Sequence, residues 1–579
     1  MKKFAFVASI ALAAGIAAPV VAQAHMPGKV EIAWNRYYTY VEVEQQLQAI
    51  AKAYPELVTL VPIGKSIQGR TLWVAIVNDP STGPDTSKPA MWIDGNVHGN
   101  EIQACEAVMY SLWYLTKAHG QNESLTNLLK DFSFYFLPSA NPDGRESWFR
   151  DAHTPNSARH NIRPVDNDGD GMIDEDPADD LDGDGHITQM WKEDPDGRMR
   201  RDPDDPRIFR PAPAGQKGQW TYLGSEGIDN DDDGRFNEDD VAADDMNRNY
   251  PSDWQPSYVQ FGAGEYPFSS PETHAIGQFI LERPNIAAVQ SYHNSGGMIL
   301  RGPGANYRDG MYTGADTRMY DEIADTGAQM LPYYRSMVIH RDLYTVHGGF
   351  VNWTAEGLGI ASFTNEMWSD AKAFQGAPSS PDEKQTWIWR DRMLFGQTFV
   401  DYKEFDHPFY GKILLGGPNK WASRNTPTFM LEEECHRNFA FTMYHASCMP
   451  KVAFGRTEVR RRGEGLWSVT FEIRNDQVIP TRLAIAANRR LGQPDLLTIE
   501  GATVLASGRI DDWLDRQMDD FGVEPARILM DTGIPARGRR LIRCLVQGQP
   551  GDTLTIRYQA EKAKDVQTTI RLEETPVDR

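Results

Sequence analysis

PAMWIDGNVHGNEIQACEAVMYSLWYL, running from Pro89 to Leu115, opens with a short apolar run, Pro89 to Val97, of the length and composition of a buried strand. Ile102, Cys105, Val108, Leu112 and Leu115 then recur on one helical face. A buried strand feeding a long helix is the repeating unit of an α/β domain, in which sites gather at the carboxyl ends of strands. His98 and Glu101 stand at that junction. In a first helical turn residues three apart lie on one side, so an imidazole nitrogen and a carboxylate there reach a single ion.

Working outward, Tyr38 to Ala53 has helical spacing, and LVTLVPIGKSIQGRTLWVAIVND, Leu57 to Asp79, reads as two strands around a turn. FSFYFLPSANPDG (Phe132 to Gly144), NIAAVQSYH (Asn285 to His293) and GIASFTNEMW (Gly359 to Trp368) each contribute a strand, and Leu431 to Ala446 a helix. The expected core is an α/β fold with a mostly parallel mixed sheet flanked by helices, over residues 25–449. From about Pro450 the texture changes to short alternating runs, LWSVTFEIRN, RLAIAANRR, RLIRCLVQ and DTLTIRYQA, which predict a C-terminal β-sandwich at 450–579.

Residues 164–245 interrupt the alternation and read as an insertion rich in Asp, Gly and Pro. Between Val165 and Asp245 there are 26 acidic and 8 basic residues, so this segment holds 18 of the chain's 22 excess negative charges. Within it the pattern D-x-D-x-D-G, the opening of a calcium loop, occurs three times. The candidate ligands are Asp166, Asp168, Asp170 and Asp174; Asp180, Asp182 and Asp184; and Asp229, Asp231 and Asp233. Position 12 of each loop, where an EF-hand has glutamate, holds Pro177, Trp191 or Asp240. The expectation is therefore compact structural Ca²⁺ loops that neutralise a self-repelling segment.

The first 24 residues have two lysines, an apolar stretch rich in small residues and Ala22-Gln23-Ala24, the pattern of a signal peptide cut before His25. The expected product is exported, periplasmic or secreted, with no stable membrane span, and its acidic balance excludes nucleic acid as a natural partner. Four cysteines are too few for a disulfide framework. Cys105 reads as a packed thiol, while Cys435 and Cys448 are capable of pairing in an oxidising compartment.

A third metal ligand is offered by His293, straight after the apolar run IAAVQ. Two histidines and one carboxylate leave a position on tetrahedral Zn²⁺ open, the pattern of a catalytic site. Here the chain resembles the zinc carboxypeptidase A-like metallopeptidases. NVHGNE, NPDG (Asn141 to Gly144), MNRNYP (Met246 to Pro251), SYHN and the segment Tyr344 to Glu366 resemble that family's landmarks, in the family's order, over roughly 400 residues. The resemblance implies His98, Glu101 and His293 as ligands of one zinc ion and Glu366 as general base. It implies Asn247, Arg248 and Tyr344 as the grip on a free C-terminal carboxylate. Of two arginines in ARHNIRP, Arg159 fits the carbonyl-polarising position best and Arg163 is the reserve. Asn294 departs from the serine the family often has there. Val351, in the position that helps set side-chain preference, implies hydrophobic or aromatic C-terminal residues.

The expected function is a zinc metallocarboxypeptidase acting on the C-termini of peptides and proteins. Two alternatives stand beside it: a zinc amidase acting on a non-standard, cell-wall-type peptide, and a calcium-dependent binding protein on an inactive peptidase scaffold. Oligomeric state is not legible.

Overall fold

A computed structural model describes residues 26–166, 171–238, 244–376, 381–515 and 517–575. The proposed signal peptide, Asp168 and Asp170 lie outside the described residues.

The core is an eight-stranded mixed sheet in the spatial order Val58–Lys65, Thr71–Val77, Ser133–Leu137, Ala90–Gly95, Ile286–Asn294, Ala361–Met367, Met298–Arg301, Arg335–Val338. Its four central strands, from Ser133–Leu137 to Ala361–Met367, are parallel to one another. Every residue of Ala90–Gly95 and of Ile286–Asn294 is buried, as expected of strands covered on both faces. One face carries the helices Tyr40–Ala53, Gln103–Ala118 and Leu431–Ser447 over the larger hydrophobic core, and the other carries Pro271–Leu281 and Phe350–Leu358.

Local signals fix the helix boundaries. Tyr40–Ala53 begins at a capping box in which Thr39 and Glu42 satisfy each other's backbone N–H groups, and Tyr40, Val43, Leu47 and Ile50 form its buried stripe. Gln103–Ala118 is buried on almost every side and not only on the apolar face read from the sequence, because it lies between the sheet and Leu431–Ser447.

The insertion is more ordered than its composition suggests. Gln189–Glu193, Met199–Arg201, Phe209–Pro211 and Trp220–Ser225 join the hairpin Phe399–His407 and Gly411–Pro418 in a six-stranded antiparallel sheet. A small core of Met190, Ile413 and Leu415 and the stacked rings of Trp191 and Phe209, 3.8 Å apart, hold it together.

Beyond residue 450, a five-stranded and a four-stranded antiparallel sheet enclose a separate core that includes Trp467, Phe471, Ile542 and Tyr558. One of the four runs read as strands is different: RLAIAANRR contains a helix, Ala484–Arg489. The Asp316 carboxylate accepts from the backbone N–H groups of Ala484 and Ile485, both at 2.8 Å, tying this helix to the domain of the eight-stranded sheet. Val478, Ile479, Leu483, Ile485 and Ala486 are part of the main sheet's core. Cys435 and Cys448 are buried free thiols with no disulfide between them.

His445 lies fully buried beneath the central strands, its Nδ1 3.2 Å from Gln290 Oε1 and its Nε2 without a partner. Burial pushes its pKa from 6.5 down to about 3. A depressed histidine stabilises the fold above its unfolded pKa and ceases to do so as pH falls. Between pH 6.5 and about 4, urea unfolding of the wild type is therefore expected to lose up to about 1.4 kcal/mol per pH unit more than that of His445→Gln. Parallel stability–pH curves for the two proteins would contradict this.

Candidate metal and catalytic site

Strand register assembles the site. Glu366 sits directly beside His293 in the parallel pair formed by Ala361–Met367 and Ile286–Asn294, and Gly95 lies opposite Tyr292 on the other side. The chain leaving Gly95 therefore delivers His98 and Glu101 to the same strand ends. Asn96, with φ +57°, turns it there and donates from its side-chain amide to the carbonyls of His98 and Gly99, at 2.8 and 3.2 Å.

Gly99 is required by close approach. A Cβ at this position would stand 2.2 Å from the carbonyl oxygen of Ala158 and 2.7 Å from the Cα of Gly144. Its N–H donates to the Arg159 carbonyl at 3.1 Å, so the HGNE turn, the NPDG segment and the Arg159 loop touch backbone to backbone. Gly348 plays a similar part at φ +66°, where a Cβ would stand 2.1 Å from the Arg248 carbonyl oxygen, and so brings the Tyr344 loop onto the Asn247-Arg248 segment.

His98, Glu101 and His293 are all buried, with potential ligand atoms within 4.8 Å of one another. His98 Nδ1 is 2.9 Å from Glu101 Oε1, His293 Nδ1 is 3.0 Å from Glu101 Oε2, and the two Nδ1 atoms are 3.2 Å apart. Two imidazole nitrogens converging on a carboxylate away from water form a donor set that fits Zn²⁺. Burial works against ionised Glu101, but His98 and His293 outweigh it and hold its pKa well below the usual range.

The sequence reading missed Asp245. Its Oδ1 accepts from His98 Nε2 at 3.0 Å and from the Asn247 N–H at 2.9 Å, and its Oδ2 lies 3.3 Å from Arg159 Nη2. Donating Nε2–H to Asp245 leaves the His98 Nδ1 lone pair facing the cluster, the outer carboxylate contact that orients a ligating histidine. Burial opposes ionised Asp245, and Arg248, His98 and Arg159 more than offset it, so its pKa is well below normal. Its place two residues before Asn247 was the available signal, hidden at the end of a long acidic run.

Between the two candidate arginines the structure separates clearly. Arg159 Nη1 is 3.0 Å from Glu101 Oε1 and lines the same cavity as His98 and Glu366. Arg163 pairs with Asp244 at 3.0 Å, away from that cavity's lining. Asn247, Arg248, Tyr344 and Val351 all line the cavity too. Asn247 Oδ1 accepts from the Phe350 N–H at 2.9 Å, which leaves its amide nitrogen toward the site. Arg248 is buried and makes no ion pair among the described residues. Tyr344 is exposed at the mouth. Burial, followed by the charge of Glu101, pushes the Glu366 carboxyl up to about 7 against the opposing pull of His293, Arg159 and Arg424. Asn294 donates its backbone N–H to Glu101 Oε2 at 3.0 Å, a contact that does not depend on its side chain, and its side-chain amide donates to Gln103 Oε1 at 3.1 Å. Arg424 was also missed: it comes from a distant loop and stands 3.9 Å from Glu101.

Of the calcium candidates, Asp180 and Asp182 meet Glu226, and Asp229, Asp231 and Asp233 meet one another. A third group joins Asp231 to Asp176 and Glu238. Asp166 accepts from the Gly171 N–H at 3.0 Å, Asp174 Oδ1 from the Val165 N–H at 3.3 Å, and Asp184 Oδ1 from the His186 N–H at 2.9 Å. These three belong to none of the groups. Glu226 was invisible to a local motif because it comes from outside the repeats, and Asp176 and Glu238 because they stand at loop positions the D-x-D-x-D-G pattern does not include.

A buried two-histidine, one-carboxylate cluster with an adjacent acid at the ends of parallel strands defines the class of metal-dependent hydrolases on a mixed α/β sheet. Residues 43–387 match the zinc carboxypeptidase family, and the chain belongs to that family. Residues 451–571 match a domain of unknown function (DUF8731). Among curated relatives, carboxypeptidase D of Drosophila melanogaster is 32% identical over 130 residues, 22% of this chain and 9% of that protein. Carboxypeptidase M of Mus musculus is 30% identical over 112 residues, 19% of this chain and 25% of that protein. Carboxypeptidase B of Astacus astacus is 31% identical over 118 residues, 20% of this chain and 37% of that protein. The chain thus matches well under two thirds of the length of each of these relatives. Among solved structures, that of thrombin activatable fibrinolysis inhibitor is 18% identical with a TM-score of 0.43, covering 73% of this chain and 76% of that one. Carboxypeptidase A from Helicoverpa armigera is 21% identical with a TM-score of 0.38, covering 58% and 66%.

Asp245→Asn is expected to weaken zinc binding about 10- to 100-fold, measured by competition with a chromophoric chelator. Unchanged affinity would remove the orienting role.

Proposed function

We propose that the protein is a zinc carboxypeptidase that hydrolyses the last peptide bond of substrates with a free C-terminal carboxylate. The observation that carries this reading is Arg248: a buried guanidinium without an ion pair among the described residues, in one cavity with His98 and Glu366. A guanidinium forks both oxygens of a carboxylate, while the Asn247 amide and the Tyr344 hydroxyl at the mouth supply further donors. Leu300, Ile339, Val346 and Val351 line the same cavity, and Glu366 is its one carboxylate among the described lining residues. That apolar lining supports a preference for hydrophobic or aromatic C-terminal residues.

His98, Glu101 and His293 would hold the zinc ion, which supplies Lewis acidity toward a carbonyl and a water molecule. Glu366 takes a proton from the attacking water, and its raised pKa suits it to hand that proton to the departing amine as the C–N bond breaks. Arg159, held by Glu101 and Asp245, offers guanidinium N–H groups to the developing oxyanion. The signal-peptide pattern of residues 1–24 supports export to the periplasm or secretion. Among the described residues no helix is long and apolar enough to cross a membrane.

The acidic insertion binds calcium in this reading. The support is the convergence of Asp180, Asp182 and Glu226 and of Asp229, Asp231 and Asp233, together with Glu238, whose pKa burial and the nearby Asp176 and Asp233 push up to about 7. A cation relieves that repulsion and cross-links a segment with little apolar area.

An N-blocked dipeptide ending in free Phe is expected to be cleaved about a hundredfold better than its C-terminal amide. Equal rates would discard the carboxylate grip. Glu366→Gln should lower kcat by at least about a hundredfold while retaining zinc, as read by metal analysis; undiminished turnover would refute the general base. In metal-stripped buffer resupplied with zinc alone, adding calcium should raise Tm by about 3 °C or more. An unchanged melt would exclude the calcium cross-link.

A further inference from the structure

The paired strands Ala361–Met367 and Met298–Arg301 set out a linear order along the site. Thr364 and Leu300 are partners in the register and line the cavity that holds Arg248; Glu366 and Met298 are the next pair on the same face. Beyond the strand ends, the Gly296 N–H donates to the carbonyls of Met367 and Trp368, at 3.3 and 2.8 Å. Ser295, Gly296 and Trp368 then line a second cleft, of about 390 Å³. A peptide held by its C-terminus beside Thr364 and cut beside Glu366 has this cleft ahead of its upstream residues.

The same cleft is lined by two arginines, Arg390 and Arg424, in a chain whose overall charge is −22. Arg424 closes the inner end: its Nη1 is 3.9 Å from Glu101, its Nη2 donates to Asn156 Oδ1 at 2.9 Å, and its carbonyl accepts from Asn294 Nδ2 at 3.3 Å. Its Nε is buried without a partner. Arg390, from the helix Glu383–Leu394, lies over the Trp387 ring, 5.0 Å from its centroid, and makes no ion pair among the described residues. The carboxylates that act on it, Asp370 and Glu383, do so at longer range, and exposed Asp370 lines the same cleft. Arg390 also borders an adjoining cleft of about 370 Å³. A partly buried guanidinium without an ion pair among the described residues, lining a cleft next to the site, is equipped to receive an anion.

We propose that Arg390, with Arg424 at the inner end, forms a subsite for a carboxylate side chain on the acyl side of the scissile bond. Peptides with Glu or Asp among the three residues preceding the C-terminal one would then be the preferred substrates. The proposal rests on the carboxypeptidase reading, which supplies the direction of the bound chain.

The test is calorimetric binding to the zinc-loaded Glu366→Gln protein, which removes turnover from the measurement. The ligands are N-acetyl tetrapeptides ending in Phe, with Glu or Gln at each of the three preceding positions in turn. At one position Glu is expected to bind about tenfold more tightly than Gln, and added salt should narrow the difference. In Arg390→Gln the ratio should fall to near one, and Arg390→Lys should restore part of it. Equal affinities at all three positions, or a Glu preference that survives Arg390→Gln in a protein with unchanged melt, would overturn the subsite alone. Failure of every free-C-terminus peptide to bind would overturn the carboxypeptidase reading and the subsite with it.

Discussion

The parallel pairing of Ala90–Gly95, Ile286–Asn294 and Ala361–Met367 is the constraint on which the site depends. Side chains in a strand alternate faces, so a slip of one residue would turn Glu366 away from His293 and move the HGNE turn out of reach. The buried Ala, Val, Ile and Phe side chains of these strands resist that slip because it would bring the polar members of each strand into apolar surroundings. The stability of the core and the geometry of the chemistry therefore rest on the same registration.

Electrostatic compensation comes next. Burying a carboxylate costs several kcal/mol unless cations and hydrogen bonds offset it, and this site buries both Glu101 and Asp245. His98, His293, Arg159 and Arg248 supply the offset, with Arg424 at greater distance. Arg159 spans both acids and is thereby fixed beside the metal-ligand cluster. Glu366 makes no ion pair among the described residues, and burial, followed by the charge of Glu101, holds its proton more tightly.

Much of this was legible in the sequence. Pro89 to Leu115 announced the strand and helix, and His98, Glu101, His293 and Glu366 followed from ligand chemistry together with the order of the motifs. What was not legible depended on contacts between distant segments. Local pattern could not choose between Arg159 and Arg163, because the choice is made by Asp244 and Asp245 on the far side of the insertion. Asp245 itself was one acid among many. The strands of the insertion were hidden by composition, and the one that joins them to the rest of the sheet, Gln189–Glu193, pairs with Gly411–Pro418, more than 200 residues downstream. RLAIAANRR alternates like a strand, yet it packs as a helix because Asp316 satisfies its first N–H groups. A local reading cannot see a cap supplied from 168 residues away.

The shared core around Val478, Ile479, Leu483 and Ile485 sets the timing of biogenesis. All the site residues precede residue 425, but the core beneath them includes side chains up to Ala486, so its packing is incomplete until that stretch has been synthesised and has docked. A nascent chain halted before that point carries every catalytic group without the packing that holds them rigid. Completion of the fold, and not completion of the motif set, is what brings the site into working order.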